Sequence, residues 1–252
     1  MTSTRSCPCA LRRGAAGRLS AIAIFGTLAL LTPTAAAAPG AVDLEPLFAT
    51  GRPLEVIQAT DMVLHEAAAA GDVKLAVYLL ERGAGVDVRS AIDASTPLHV
   101  AAYSGHIEIV RLLVAKGADI GARAQGGNTP MHMAVLGGNA EIVALLLSHG
   151  VDVNISSNSN STPLHVAARE GHVNLVEYLL QRGAEIDFHR FYGYTPLMEA
   201  AQRGHVEVVD VLLQNGADLT PRSAESSTAL ALARAAGHGS IADMLRSHGA
   251  AD

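Results

Sequence analysis

The sequence predicts an all-α repeat solenoid, on three observations. First, the glycines Gly71, Gly105, Gly138, Gly171, Gly204 and Gly237 step by 34 residues once and by 33 four times. A second series (Gly83, Gly117, Gly150, Gly183, Gly216, Gly249) steps identically. Second, the 252-residue chain is 49% hydrophobic but only 4% aromatic, with no Trp, so its apolar mass is mostly Ala, Leu, Val and Ile. Small side chains suit thin layers of closely packed helices better than one thick core. Third, each period holds two short stretches of helical spacing with a glycine between them.

One unit shows the logic. Thr162 is placed to cap a helix, and Pro163 sits at its first position, where a missing N–H costs nothing. That helix runs through Leu164, Ala167 and Ala168 and stops at Gly171. A second follows, with Val173, Val176, Leu179 and Leu180 as its apolar stripe, and Gly183 closes it in a left-handed turn. About ten extended, turn-rich residues lead to Thr195. Such a unit cannot bury its own stripe and must stack on neighbours.

The segments PLHVAAYSGH (97–106), PMHMAVLGGN (130–139), PLHVAAREGH (163–172) and PLMEAAQRGH (196–205) align without gaps, as do VLHEAAAAGD (63–72) and ALALARAAGH (229–238). With the paired-Leu helix and the G-A-x-(V/I)-(D/N) turn, they resemble the ankyrin repeat over six units, residues 62–252. The resemblance implies a stack of antiparallel helix pairs with projecting β-hairpin fingers, used to bind other proteins. The first unit departs from the pattern with Met62-Val63 for Thr-Pro. The last has Ala229, Ala231 and Arg234 where Pro, His and a small buried residue are usual, which suits a C-terminal cap whose outer face meets water. Residues 38–61 are expected to form an N-terminal helical cap, with two short helices over 43–60.

The start of the chain reads as an address. Residues 1–18 carry Arg5, Arg12, Arg13 and Arg18, residues 19–31 are uncharged and apolar, and Ala35 to Ala38 follow. This is the pattern of a secretory signal peptide over residues 1–37, cut after Ala37. Thirteen apolar residues are short of the about 20 needed to span a bilayer; the alternative is an uncleaved anchor. Arg12-Arg13 lacks the surroundings of a twin-arginine signal. Both cysteines, Cys7 and Cys9, leave with the leader, so the remaining body has no thiol for a disulfide, a metal or a nucleophile. The Ala-rich composition and style of leader point to a bacterial protein that is periplasmic or secreted.

The formal net charge is −6, and the four leader arginines carry all the charge of the first forty-two residues. Without them the body is more acidic still, which disfavours nucleic acid and anionic membrane as partners. Eleven histidines invite a metal reading. However, His65, His99, His132 and His165 hold one equivalent position, and His106, His172, His205 and His238 another. Equivalent positions in a helical stack lie about 10 Å apart, whereas ligands of one zinc converge at about 2 Å. The resemblance implies that the first series ties the Thr hydroxyl to the neighbouring unit. His149, His189 and His248 remain without convincing partners. No nucleophile elbow, phosphate loop or isolated carboxylate pair is present, so neither catalysis nor a cofactor or metal is expected.

Partner contacts are sought at positions the scaffold leaves free. After leader removal the body has eight aromatic residues, and four fall in the finger Phe188-His189-Arg190-Phe191-Tyr192-Gly193-Tyr194. Aromatics and Arg are enriched in binding hot spots. Phe191, Tyr192 and Tyr194 match fingertip positions that the family uses for contacts. One or two of the rings, Phe188 first, could instead pack on the adjacent finger. Exposed first-helix positions add Tyr103, Leu136, Arg169, Glu170, Gln202 and Arg203, and Arg182 and Asn215 are placed at the flank. The expected role is a non-catalytic, monomeric module that binds a protein of the cell envelope, as companion of a periplasmic enzyme or as an immunity protein. The alternative is a secreted effector directed at host proteins.

Overall fold

The computed structural model describes residues 53–251, with side chains from Met62 onward. The expected leader (1–37) and residues 38–52, the start of the expected cap, lie outside them. Among the described residues the chain forms twelve α-helices and no strand. They fall into six pairs: α1 (Pro53–Ala70) with α2 (Val73–Glu81), α3 (Pro97–Ser104) with α4 (Ile107–Ala115), α5 (Pro130–Leu136) with α6 (Ala140–Ser148), α7 (Pro163–Glu170) with α8 (Val173–Gln181), α9 (Pro196–Arg203) with α10 (Val206–Gln214), and α11 (Ala229–Ala235) with α12 (Gly239–Ser247).

The local signals act as physical chemistry requires. Thr96, Thr129, Thr162 and Thr195 are extended N-caps with Pro at the following position. Gly105, Gly171 and Gly204 end the first helices with φ between 80° and 86°. The second helices end alike: in the fourth unit Gly183 has φ 87° and the Ala184 N–H bonds back to Leu179 O at 3.0 Å, closing the last turn.

Burial follows the repeat. Leu98, Met131, Leu164 and Leu197 are fully enclosed at equivalent first-helix sites, and Leu113, Leu146, Leu179, Leu212 and Leu245 at second-helix sites. They belong to one continuous apolar cluster running from Ala68 to Leu245. In the fourth unit Leu175 is buried, whereas Val173 and Leu180, assigned to the stripe from spacing, are only half-buried. Val173 opens that helix and Leu180 lies in its last turn, so the fully buried stripe is Leu175, Val176 and Leu179. In the sixth unit Ala231 and Arg234 are exposed.

Two features depart from expectation. From Pro53 the chain is a single 18-residue helix that runs through Met62 into the first unit, with no break at residue 61. A proline disfavours helix in the residue before it and thereby separates an incoming helix from the next; the first unit has Met62-Val63 there, and nothing interrupts. The fingers, moreover, carry no β-ladder. The fifth is closed by Arg190 N–H to Tyr194 O and Gly193 N–H to Arg190 O, both at 3.0 Å, and tied to the preceding finger by one more, Phe191 N–H to Ser159 O at 2.9 Å. The same inter-finger bond recurs at Gln125–Asp93, Asn158–Gly126 and Ala224–Tyr192. Arms two residues long turn into helix before a second rung can form.

Candidate partner-binding face

The face is built on a ladder of buried histidines. The backbone N–H of Thr162 donates to His165 Nδ1 at 3.3 Å. A backbone N–H can only donate, so that nitrogen is unprotonated and the proton sits on Nε2. Nε2 then donates to Tyr194 O in the next finger at 3.1 Å. His99 and His132 repeat the arrangement toward Asn128 O and Ser161 O. Burial disfavours the imidazolium, which lowers the pKa of all three and takes His132 and His165 to about 4. Neutral rings thus fix the root of each following finger.

Five of the other histidines also bond within the scaffold through their rings. His106, His172 and His205 reach back to Ala69 O, Leu136 O and Arg169 O at the ends of preceding first helices. Asn139 takes the same place in the third unit, donating to Ala102 O and Tyr103 O. His149 and His248 lie at second-helix ends, with Nδ1 2.9 Å from Leu145 O and Met244 O. His189 is exposed, and its carbonyl accepts from Asn160 Nδ2 at 2.7 Å. Among the described residues no three His, Cys, Asp or Glu side chains converge to hold a metal, and no helix is long and apolar enough to cross a membrane.

The fifth finger stands out in structure as in sequence. Phe191 is 57% exposed and Tyr192 75%. Tyr192 has φ +67°, a left-handed conformation that costs a bulky residue energy and is occupied by Gly126 at the equivalent place in the third unit. Phe188 does pack, edge-on to His165 with ring centroids 6.2 Å apart. Tyr194 is half-buried beneath the Arg190 guanidinium, which lies 4.7 Å over its ring and pairs with Glu199. The finger therefore divides into a packed base (Phe188, Arg190, Tyr194) and a free tip (Phe191, Tyr192).

Two shallow depressions flank that tip. One, of about 290 Å³, is lined by Arg190, Tyr192, Tyr194, Gln202, Ala224 and Glu225. The other, of about 450 Å³, lies between the third, fourth and fifth fingers and the first helix α7, with Asn158, Ser159, Val166, Arg169 and Phe191 on its walls. Arg169, Arg190, Phe191, Tyr192, Tyr194 and Gln202 are thereby gathered on one face. Glu170 joins through its ion pair with Arg169 at 2.9 Å, and Arg203, next to Gln202, is exposed. Tyr103, 44% exposed, and half-buried Leu136 occupy the matching first-helix surface of the second and third units. Arg182 and Asn215 line neither depression: Arg182 lies over Tyr178 at 4.7 Å, and Asn215 donates to Val211 O at 2.8 Å, each turned onto its own helix end.

Several contributors were not legible from residue type. Glu199, buried opposite Arg190, falls at a site filled by Val100, Met133 and Val166 in other units. Ile92, 75% exposed at the tip of the second unit's finger, sits where the period lengthens by one residue, and that irregularity was its only signal. Asp87, Asn154 and Asp187, in turns where solvation is the default, instead accept the N–H groups of Asp119, Glu185 and Asp218 in the following unit.

A family model described as ankyrin repeats (3 copies) matches residues 56–124, 116–190 and 186–252. Ankyrin repeat domain-containing protein 49 of Bos taurus and that of Homo sapiens are each 52% identical to this chain over 44 residues. The match covers 18% of this chain and 18% of each relative, so the chain spans under a fifth of their length.

Proposed function

Because the chain belongs to the ankyrin-repeat family, whose repeats form protein–protein interaction modules, we propose that it is an exported, non-catalytic module holding one partner protein of the cell envelope. The partner lies against the fingertips and first helices. The observation that carries this reading is the fifth finger, where Phe191 and Tyr192 are held in water on a firmly rooted loop, Tyr192 with left-handed backbone. Burying apolar rings is what folding ordinarily rewards, and backbone strain persists where the surrounding structure and a function sustain it. Export is supported by the basic head, the apolar run 19–31 and the alanines before residue 38, and by a body without cysteine.

The test joins location to contact. Expressed with its own leader in a bacterial host, the chain is expected in the periplasmic fraction with Ala38 as its first residue. A photoreactive aromatic at position 192 is expected to form one adduct of one-to-one stoichiometry, whereas the same group at Glu177, on a second helix, forms none. A cytosolic chain retaining residues 1–37 overturns the export half, and equal labelling from both positions overturns the face. Supporting an enzyme and neutralising a toxin then separate by whether the partner's activity survives in the complex.

A further inference from the structure

In the second, third and fourth units the junction between finger and first helix is locked by the Thr–His arrangement; the fifth lacks it, as does the sixth, where Ala231 stands at the His position. Met198 stands at the His position, leaving Thr195 Oγ1 with the Met198 N–H at 3.4 Å. At that junction two other positions have changed together. Arg190 replaces the small residue that closes the other fingers (Ala124, Ser157, Ser223), and Glu199 replaces the apolar residue of the helix (Val100, Met133, Val166). The two side chains pair, with the Glu199 side chain only 4% exposed, and the Arg190 guanidinium also covers the Tyr194 ring at 4.7 Å.

We propose that the Arg190–Glu199 pair is a positioning latch that replaces the histidine lock of the fifth unit and presets the aromatic finger for its partner. This rests on the reading of that finger as the contact point, but its test does not involve the partner. A buried ion pair is weak evidence of stability, since well-packed apolar side chains serve as well or better. What it supplies is a fixed geometry. A planar guanidinium bonded to a buried carboxylate and laid on a ring leaves the segment between them one arrangement. That segment is Phe191-Tyr192-Gly193, in which Tyr192 occupies the left-handed region. The pair sits at the base of the finger and leaves the tip uncovered.

The test is amide hydrogen exchange on the full chain, wild type against Arg190→Ser with Glu199→Val, which restores the residue types of the other units. The amides read are Arg190, bonded to Tyr194 O, Gly193, bonded to Arg190 O, and Ala224, bonded to Tyr192 O. Expected is an unchanged melting temperature with exchange at these three sites faster by about tenfold or more, the sign of a local opening. Glu199→Gln, which keeps the shape and loses the charge, is expected to show the same local loss in smaller measure. Retained protection at all three sites in the double variant overturns the latch. So does a lower melting temperature with protection lost evenly across the six units, because the pair would then serve the stack rather than the finger.

Discussion

His132 Nε2 donates to the carbonyl of Ser161, one finger further along, at 2.9 Å, while Nδ1 of the same ring accepts the Thr129 N–H. One neutral imidazole thus joins a helix start to the neighbouring unit, and it does so only while Nδ1 carries no proton.

The consequence is a defined acid sensitivity. Burial takes His132 and His165 to about 4 in the folded chain, against 6.5 for an unperturbed ring. Between those values the unfolded chain binds more protons, so stability is whole above pH 6.5 and is lost as pH falls toward 4. Each ring contributes a slope of up to about 1.4 kcal/mol per pH unit in that window. Urea midpoints at pH 7 and pH 5 measure it. His132→Ala is expected to cost roughly 1–3 kcal/mol of stability at pH 7 for the groups left unbonded, seen as a lower midpoint, and to flatten the pH dependence.

The two glycine series answer different needs, and alanine separates them. Gly183 has φ +87° with nothing within 4 Å of an added Cβ, so Gly183→Ala carries backbone strain alone, about 1 kcal/mol. Gly171 has φ +80°, and an added Cβ would lie 2.6 Å from His205 Nδ1. Gly171→Ala therefore also displaces the ring that bonds Arg169 O, at a total of roughly 2–4 kcal/mol. Chemical denaturation of the two variants compares them, and equal costs contradict this distinction.

Charge is unevenly spread between the two faces. From the second unit on, fingers and first helices carry Arg89, Arg123, Arg169, Arg190, Arg203, Arg222 and Arg234 against Asp93, Glu170, Glu199 and Glu225, while the second helices carry Arg111 and Arg246 against Glu108, Glu141, Glu177, Glu207, Asp210 and Asp243. An approaching acidic surface is steered toward the fingers. For Arg203→Glu the association rate with the isolated partner is expected to fall about tenfold at low ionic strength, with the difference fading as salt rises. Stopped-flow mixing over a salt series reads both.

How much of this was legible depends on whether a signal was repeated. Thr162, Pro163, Gly171 and Gly183 recur in register, and periodicity turned weak local preferences into a firm reading of six helix pairs. Where a unit departs from the rest, sequence was a poorer guide. Loss of Thr-Pro at Met62-Val63 was visible, but its effect, an uninterrupted helix from Pro53, depends on what precedes it. Asn139 does the work of a histidine because both present an N–H at similar reach, which no pattern of residue names conveys. Of the aromatic finger, the exposure of Phe191 and Tyr192 was expected from their fingertip positions in the repeat, whereas the burial of Glu199 against Arg190 is a tertiary fact.

The most direct measurement is of partner affinity and thermal unfolding for the chain bearing Phe191→Ala and Tyr192→Ala. Affinity is expected to weaken by about 2–4 kcal/mol, roughly thirty- to a thousandfold, as for central hot-spot rings, with the melting temperature unchanged. Unchanged affinity together with a lowered melting temperature would show that these rings serve the stack, and would contradict the assignment of this face to recognition.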